Sequence, residues 1–183
     1  YSFNQFGKYL SKQGYNVIWW TANFAHHFKK YRSDGWEDIN VNDNFIIRLV
    51  PTCSYKKNFS FGRFKKDIIF AKNAYRAFKE EDAPDLIISA DNPLTMEYPT
   101  FKYANENNVP VVYDQMDLWP EFIVNNSSLL FKLALQPLLL PIYYQRKKNY
   151  QQLAGVVALG NNYLEKTFEI EPSLANKPNA LIY

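Results

Sequence analysis

The chain has 183 residues, 47% hydrophobic and 21% charged, with 14 Phe, 14 Tyr, four Trp and one Cys. The apolar and aromatic load excludes a disordered chain, and one cysteine excludes a disulfide framework or a Cys-rich zinc site. A net charge of +3 gives no ground for nucleic-acid binding.

Phe3, Phe6, Tyr9 and Leu10 recur at helical spacing, and Gly14 stands where a helix stops. Tyr15 to Trp20 reads as a strand. A helix running straight into a strand is the second half of a βαβ unit, so a preceding strand is expected outside this chain. Thr21 to Asn44 is polar and aromatic without clear period. Phe45 to Val50 is a second strand, closed by Pro51. Phe61 to Glu81 predicts a long helix with Phe61, Phe64, Ile68, Ala71, Tyr75 and Phe78 along one stripe and Lys65, Lys66, Lys72 and Lys79 outside it.

Pro84 to Ser89 is a third strand, apolar enough to be covered on both faces. A helix over 94–108, a strand over 109–113, a strand over 155–159 and a short helix over 161–168 follow. Between them, Leu129 to Leu153 is helical in tendency but broken by Pro137 and Pro141. Asn179 to Tyr183 is the start of another strand. Alternating strands and helices predict an α/β domain: a Rossmann-like three-layer sandwich with a mostly parallel sheet over residues 1–183.

Ligands of such sheets bind beyond the carboxyl ends of the strands. The segments there hold His26, His27, Asp91, Asn92, Asp114, Asp117, Trp119 and Glu121. His26 or His27 can bond a substrate hydroxyl or simply pack. Asp114-Gln-Met-Asp-Leu-Trp-Pro-Glu121 is the densest run; carboxylates with an indole face suit a sugar. Asp117 as a helix cap and Trp119 as a core plug are the plainer alternatives. Asp91-Asn92-Pro93 is a turn by composition, with a cleft role from position alone. Cys53 has no evident partner and reads as inert. The apolar run from Leu129 to Tyr144, followed by Arg146, Lys147 and Lys148, is too short and interrupted to span a bilayer. A buried helix is its ordinary reading; the other is an interfacial element whose basic cluster faces the membrane.

The run from Phe3 to Gly14, then Tyr15-Asn-Val-Ile-Trp-Trp-Thr-Ala-Asn-Phe-Ala-His-His-Phe28, resembles the opening of bacterial family 4 glycosyltransferases. Asp117-Leu-Trp-Pro-Glu121 is similar to a signature of the members that build surface polysaccharides. Asn179-Ala-Leu-Ile-Tyr183 falls where that family crosses between domains. Tyr15 departs from the family, which usually has His there. The resemblance implies the acceptor-side, amino-terminal half of a GT-B enzyme, with the first strand and the carboxyl-terminal donor domain outside the chain. It implies retaining transfer from a nucleotide sugar to a saccharide, often lipid-linked, without a metal or cofactor. His26, His27, Asn92, Asp114, Asp117, Trp119 and Glu121 are then acceptor-binding groups, and the catalytic residues are unassigned. The expected partners are the donor-binding domain, the acceptor and the membrane surface, with no nucleic acid. The expected location is the cytoplasm, at the inner face of the membrane. A sugar-nucleotide epimerase or hydrolase of the same architecture, or a non-catalytic docking subunit, are the alternatives.

Overall fold

The computed structural model describes residues 3–57, 60–91, 93–117, 121, 124 and 129–182, the side chains of 129–136 and 138 excepted. The chain divides into two compact units, 1–82 and 83–183. Both are α/β; the sheet of the second is wholly parallel, and the first has mixed pairing.

The first unit begins with α1 (Phe3–Lys12), which Gly14 ends at a φ of 91°. β1 (Val17–Ala22) follows, then a small hairpin of β2 (Phe24–Ala25) and β3 (Lys30–Tyr31). β4 (Glu37–Asn42) and β5 (Phe45–Val50) complete a sheet of order β1–β5–β4. β1 runs parallel to β5, whereas β4 is antiparallel to it. The aperiodic stretch 21–44 therefore contains three strands. β4, Glu-Asp-Ile-Asn-Val-Asn, is an edge strand exposed along almost its whole length, so no apolar alternation marks it.

α2 (Phe61–Phe78) closes the first unit, with the Ser60 hydroxyl accepting from the Arg63 N–H at 3.2 Å. Its buried residues are Phe70, Ala71 and Ala74. The apolar stripe is buried only in part: Phe61, Phe64 and Ile68, at its amino-terminal end, are 81%, 54% and 44% exposed.

The second unit is a four-stranded, wholly parallel sheet in chain order: β6 (Ile87–Ala90), β7 (Val111–Gln115), β8 (Gly155–Ala158) and β9 (Asn179–Leu181). Its crossovers carry α3 (Glu97–Asn107), α4 (Leu129–Gln151) and α5 (Asn161–Ile170). Strand alternation gives the sheet two characters. Ile87, Val111 and Tyr113 pack with Phe101, Ala104, Tyr150, Leu153 and Leu174, while Val156 and Ala158 pack with Leu164 and Leu181. Ala90, Asp114 and Val157, paired across three strands, belong to the opposite face.

α4 runs unbroken through Pro137 and Pro141, which corrects the expected break. The two prolines stand four residues apart on one face, and both are exposed, so the missing N–H bonds open toward solvent instead of the core. Gly155 opens β8 where a Cβ would come within 2.7 Å of the Pro178 carbonyl oxygen, a backbone atom that cannot give way.

Candidate functional site

β6 ends at Ala90, and the next residue, Asp91, is 2% exposed. Its Oδ2 accepts from the Met116 N–H at 3.0 Å, the Asp117 N–H at 2.5 Å and Gln115 Nε2 at 3.0 Å. One carboxylate oxygen therefore ties the exit of β6 to the exit of β7. Oδ1 has no hydrogen-bond partner among the described residues. Burial, with Asp117 and Asp114 nearby, pushes Asp91 up to about 7, although the two backbone N–H groups pull the other way.

Asp114 lies one residue before the end of β7, between Ala90 and Val157, and is 1% exposed. Neither of its oxygens has a partner among the described residues. Desolvation alone moves its pKa to about 6. An ordinary buried carboxyl is fully hydrogen-bonded. Asp114 is thus a dry carboxyl at the carboxyl end of a parallel sheet, with no hydrogen-bond donor among the described residues.

The opposite face of β7 is fully satisfied. Tyr150 donates to Gln115 Oε1 at 2.6 Å, and Thr167 Oγ1 lies 3.5 Å from the same atom. Tyr113 donates to Glu97 at 2.8 Å, and Asn149 donates to the other Glu97 oxygen at 3.3 Å. This network fixes the β7 backbone from the helical side and so orients Asp114 on the other.

Glu121 is engaged by Arg146 through two bonds, one of 2.9 Å and one of 2.5 Å. Burial raises the Glu121 pKa, but the guanidinium more than offsets this and holds it below the usual range. Arg146 is 5% exposed. Its place in a membrane-facing cluster is therefore corrected: Glu121 draws it inward, and only Lys147 and Lys148 of that trio are exposed. Asp117 is exposed and meets Asp91 through its backbone N–H. Asn92 and Trp119 lie outside the described residues.

The first unit builds its own strand-exit site. Asn23, 2% exposed, follows β1; its Oδ1 accepts from Thr52 N at 2.9 Å and Thr52 Oγ1 at 3.1 Å, which joins the loops after β1 and β5. On this base the Tyr55 hydroxyl meets His26 Nδ1. The phenol is the more acidic donor of the two, which favours acceptance at Nδ1 and the imidazole proton on Nε2. His27 is exposed, with its ring centroid 5.0 Å from that of His26. Burial and the charges of Lys29 and Arg63 lower the His26 pKa, which favours the neutral ring. Lys29 Nζ stands 3.9 Å over the Tyr55 ring.

Of the expected residues, His26 and His27 come together in the first unit, and Asp91, Asp114 and Asp117 come together at one sheet edge in the second, while Glu121 pairs with Arg146. Tyr55, Asn23, Gln115 and Arg146 were not foreseen as parts of these sites. Alternation of Tyr113 and Gln115 along β7 was the available signal for Gln115; no local pattern pointed to the others. Among the described residues, no cluster of three His, Cys, Asp or Glu side chains could hold a metal ion. No protein-family model matches the chain, and no curated protein is significantly similar to it.

Proposed function

We propose that this chain is the acceptor-binding half of a retaining glycosyltransferase of the GT-B type. It would act with a donor-binding domain to move a sugar from a nucleotide sugar to a saccharide acceptor, lipid-linked, in surface-polysaccharide synthesis at the cytoplasmic side of the membrane. The observation that carries this reading is Asp114, a dry carboxyl with both oxygens unpartnered among the described residues at the carboxyl end of a parallel sheet. A sugar hydroxyl is the donor such a group suits, since a hydrogen bond to a carboxylate is about twice as strong as a neutral one.

The roles then divide simply. Asp114 accepts from an acceptor hydroxyl and fixes its direction. Asp91 holds the β6 and β7 exits together so that this direction is kept. Orientation of an attacking hydroxyl can contribute several kcal/mol. Neutral His26, with its proton on Nε2, is a hydrogen-bond donor for a second hydroxyl. The nucleotide sugar is a substrate of the other domain, and no metal is required.

The test is sugar transfer from labelled nucleotide sugars by this chain assembled with its donor-binding half. Asp114→Asn should lower kcat/KM for the acceptor by about 100-fold, with donor hydrolysis unchanged. Transfer at the unaltered rate would overturn the reading. Release of free or altered sugar without an acceptor would point to an epimerase or hydrolase instead.

A further inference from the structure

We propose that the amino-terminal half of α2 is a docking surface for an anionic lipid bilayer. Phe61, Phe64 and Ile68, spaced three and four apart, form one outward stripe on this helix and are 81%, 54% and 44% exposed. Lys65 and Lys72 share the outward arc and are exposed as well. Exposed singly, such residues are ordinary; a contiguous apolar stripe with two Phe on a helix anchored elsewhere is not. The anchor is the inner side of α2: Phe70, Ala71 and Ala74 are buried, and Asn73 donates to the Pro51 carbonyl at 2.9 Å. The stripe is therefore presented rigidly.

Charge selects the occupant. Residues 51–78 hold seven Lys and Arg against one Asp, a net of +6, whereas the whole chain carries only +3. That Asp67 is itself matched, with Lys66 at 2.7 Å and Arg63 at 3.9 Å. Lys56 and Lys57, exposed just before the helix, continue the basic flank. An apolar stripe rimmed by cations on an in-plane helix is the pattern that enters the headgroup boundary, with aromatic rings below and ammonium groups among the phosphates. A second copy of this chain would bring the same +6 segment against itself, which like-charge repulsion opposes. No described helix is long and apolar enough to cross a membrane, so the contact is with the surface. This inference stands on α2 alone and is independent of sugar transfer.

Sedimentation of the chain with vesicles of phosphatidylcholine, with and without phosphatidylglycerol, tests it. The chain should sediment with the phosphatidylglycerol-containing vesicles and lose that association as salt rises. Phe61→Ser with Phe64→Ser should weaken binding by about tenfold or more. Lys65→Gln with Lys72→Gln should weaken it by a similar factor and flatten the salt dependence. All four positions are exposed, so the thermal midpoint should stay near its original value in both variants. Failure of the unaltered chain to sediment would overturn the proposal. So would full binding by the Phe variant, or a lipid-free dimer that the Phe variant dissolves.

Discussion

Beyond β1 and β5 the first unit sets an imidazole and an ammonium group, both partly open to water, against a buried phenol. Beyond β6 and β7 the second unit sets two carboxyls almost wholly out of water, one with a free oxygen and one with two, among the described residues. The topological position is the same and the energetics are opposite. The first edge satisfies itself, and its His26 loses charge easily. The second retains groups whose charged forms are disfavoured by burial. Stability left unclaimed at one edge of a sheet marks the place where a ligand is expected to supply the missing bonds.

Acidity separates the two edges. A carboxyl whose folded pKa is raised contributes stability that is complete below its unfolded value and is lost as pH rises through the folded one. For Asp114 and Asp91 that loss runs through about 6 and about 7. A histidine with a lowered folded pKa contributes in the other sense, with stability present above its ordinary value and lost as pH falls. The second unit's edge thus weakens toward alkaline pH, and the first unit's toward acid.

The largest effect is expected behind the acidic edge. Arg146→Gln strands Glu121 in a half-buried site and should cost about 3–5 kcal/mol in urea unfolding. Lys147→Gln and Lys148→Gln, both exposed, should stay within about 0.5 kcal/mol. Equal effects at all three positions would restore the basic cluster as a surface feature. Next is Asp91→Ala, which leaves the Met116 and Asp117 N–H groups and Gln115 Nε2 without their acceptor. A loss of about 2–4 kcal/mol near neutral pH is expected, again by urea unfolding.

Asp114→Asn should do the reverse. With no described hydrogen bond to lose and a disfavoured charge removed, the unliganded protein should gain about 1–2 kcal/mol near pH 8 and little near about pH 3.5. Measured thermal midpoints at the two pH values give this difference directly. A loss of stability at alkaline pH would show that Asp114 is a structural acceptor like Asp91, and the contrast between the edges would collapse.

Sequence alone supplied β6 and β7, because Ile87-Ile-Ser-Ala90 and Val111-Val-Tyr113 read as apolar runs, although β6 is only half-buried and not covered as its run suggests. It missed β4, whose solvent-facing residues carry no such run, and it drew the stripe of α2 without marking its first turns as exposed, because periodicity finds a stripe without saying what the stripe faces. Of the site, it found the carboxyls by their position after strands. Which of them would be dry and unpartnered, and that Glu121 would be neutralised by Arg146 from 25 positions away, depends on tertiary approach that no local pattern encodes.

The smallest effect tests the self-satisfied edge. Tyr55→Phe removes the hydroxyl that holds His26 Nδ1 and should cost about 0.5–1.5 kcal/mol in urea unfolding. Its sharper readout is nitrogen NMR of the imidazole. In the unaltered protein the proton should reside on Nε2, since Nδ1 is occupied as an acceptor. In the Phe variant that constraint is gone, and the two tautomers should mix as in a free imidazole. An Nδ1-protonated ring in the unaltered protein would mean that His26 donates to Tyr55 instead. Its Nε2 would then be a bare acceptor, and the first edge would offer a ligand a base where a donor is expected.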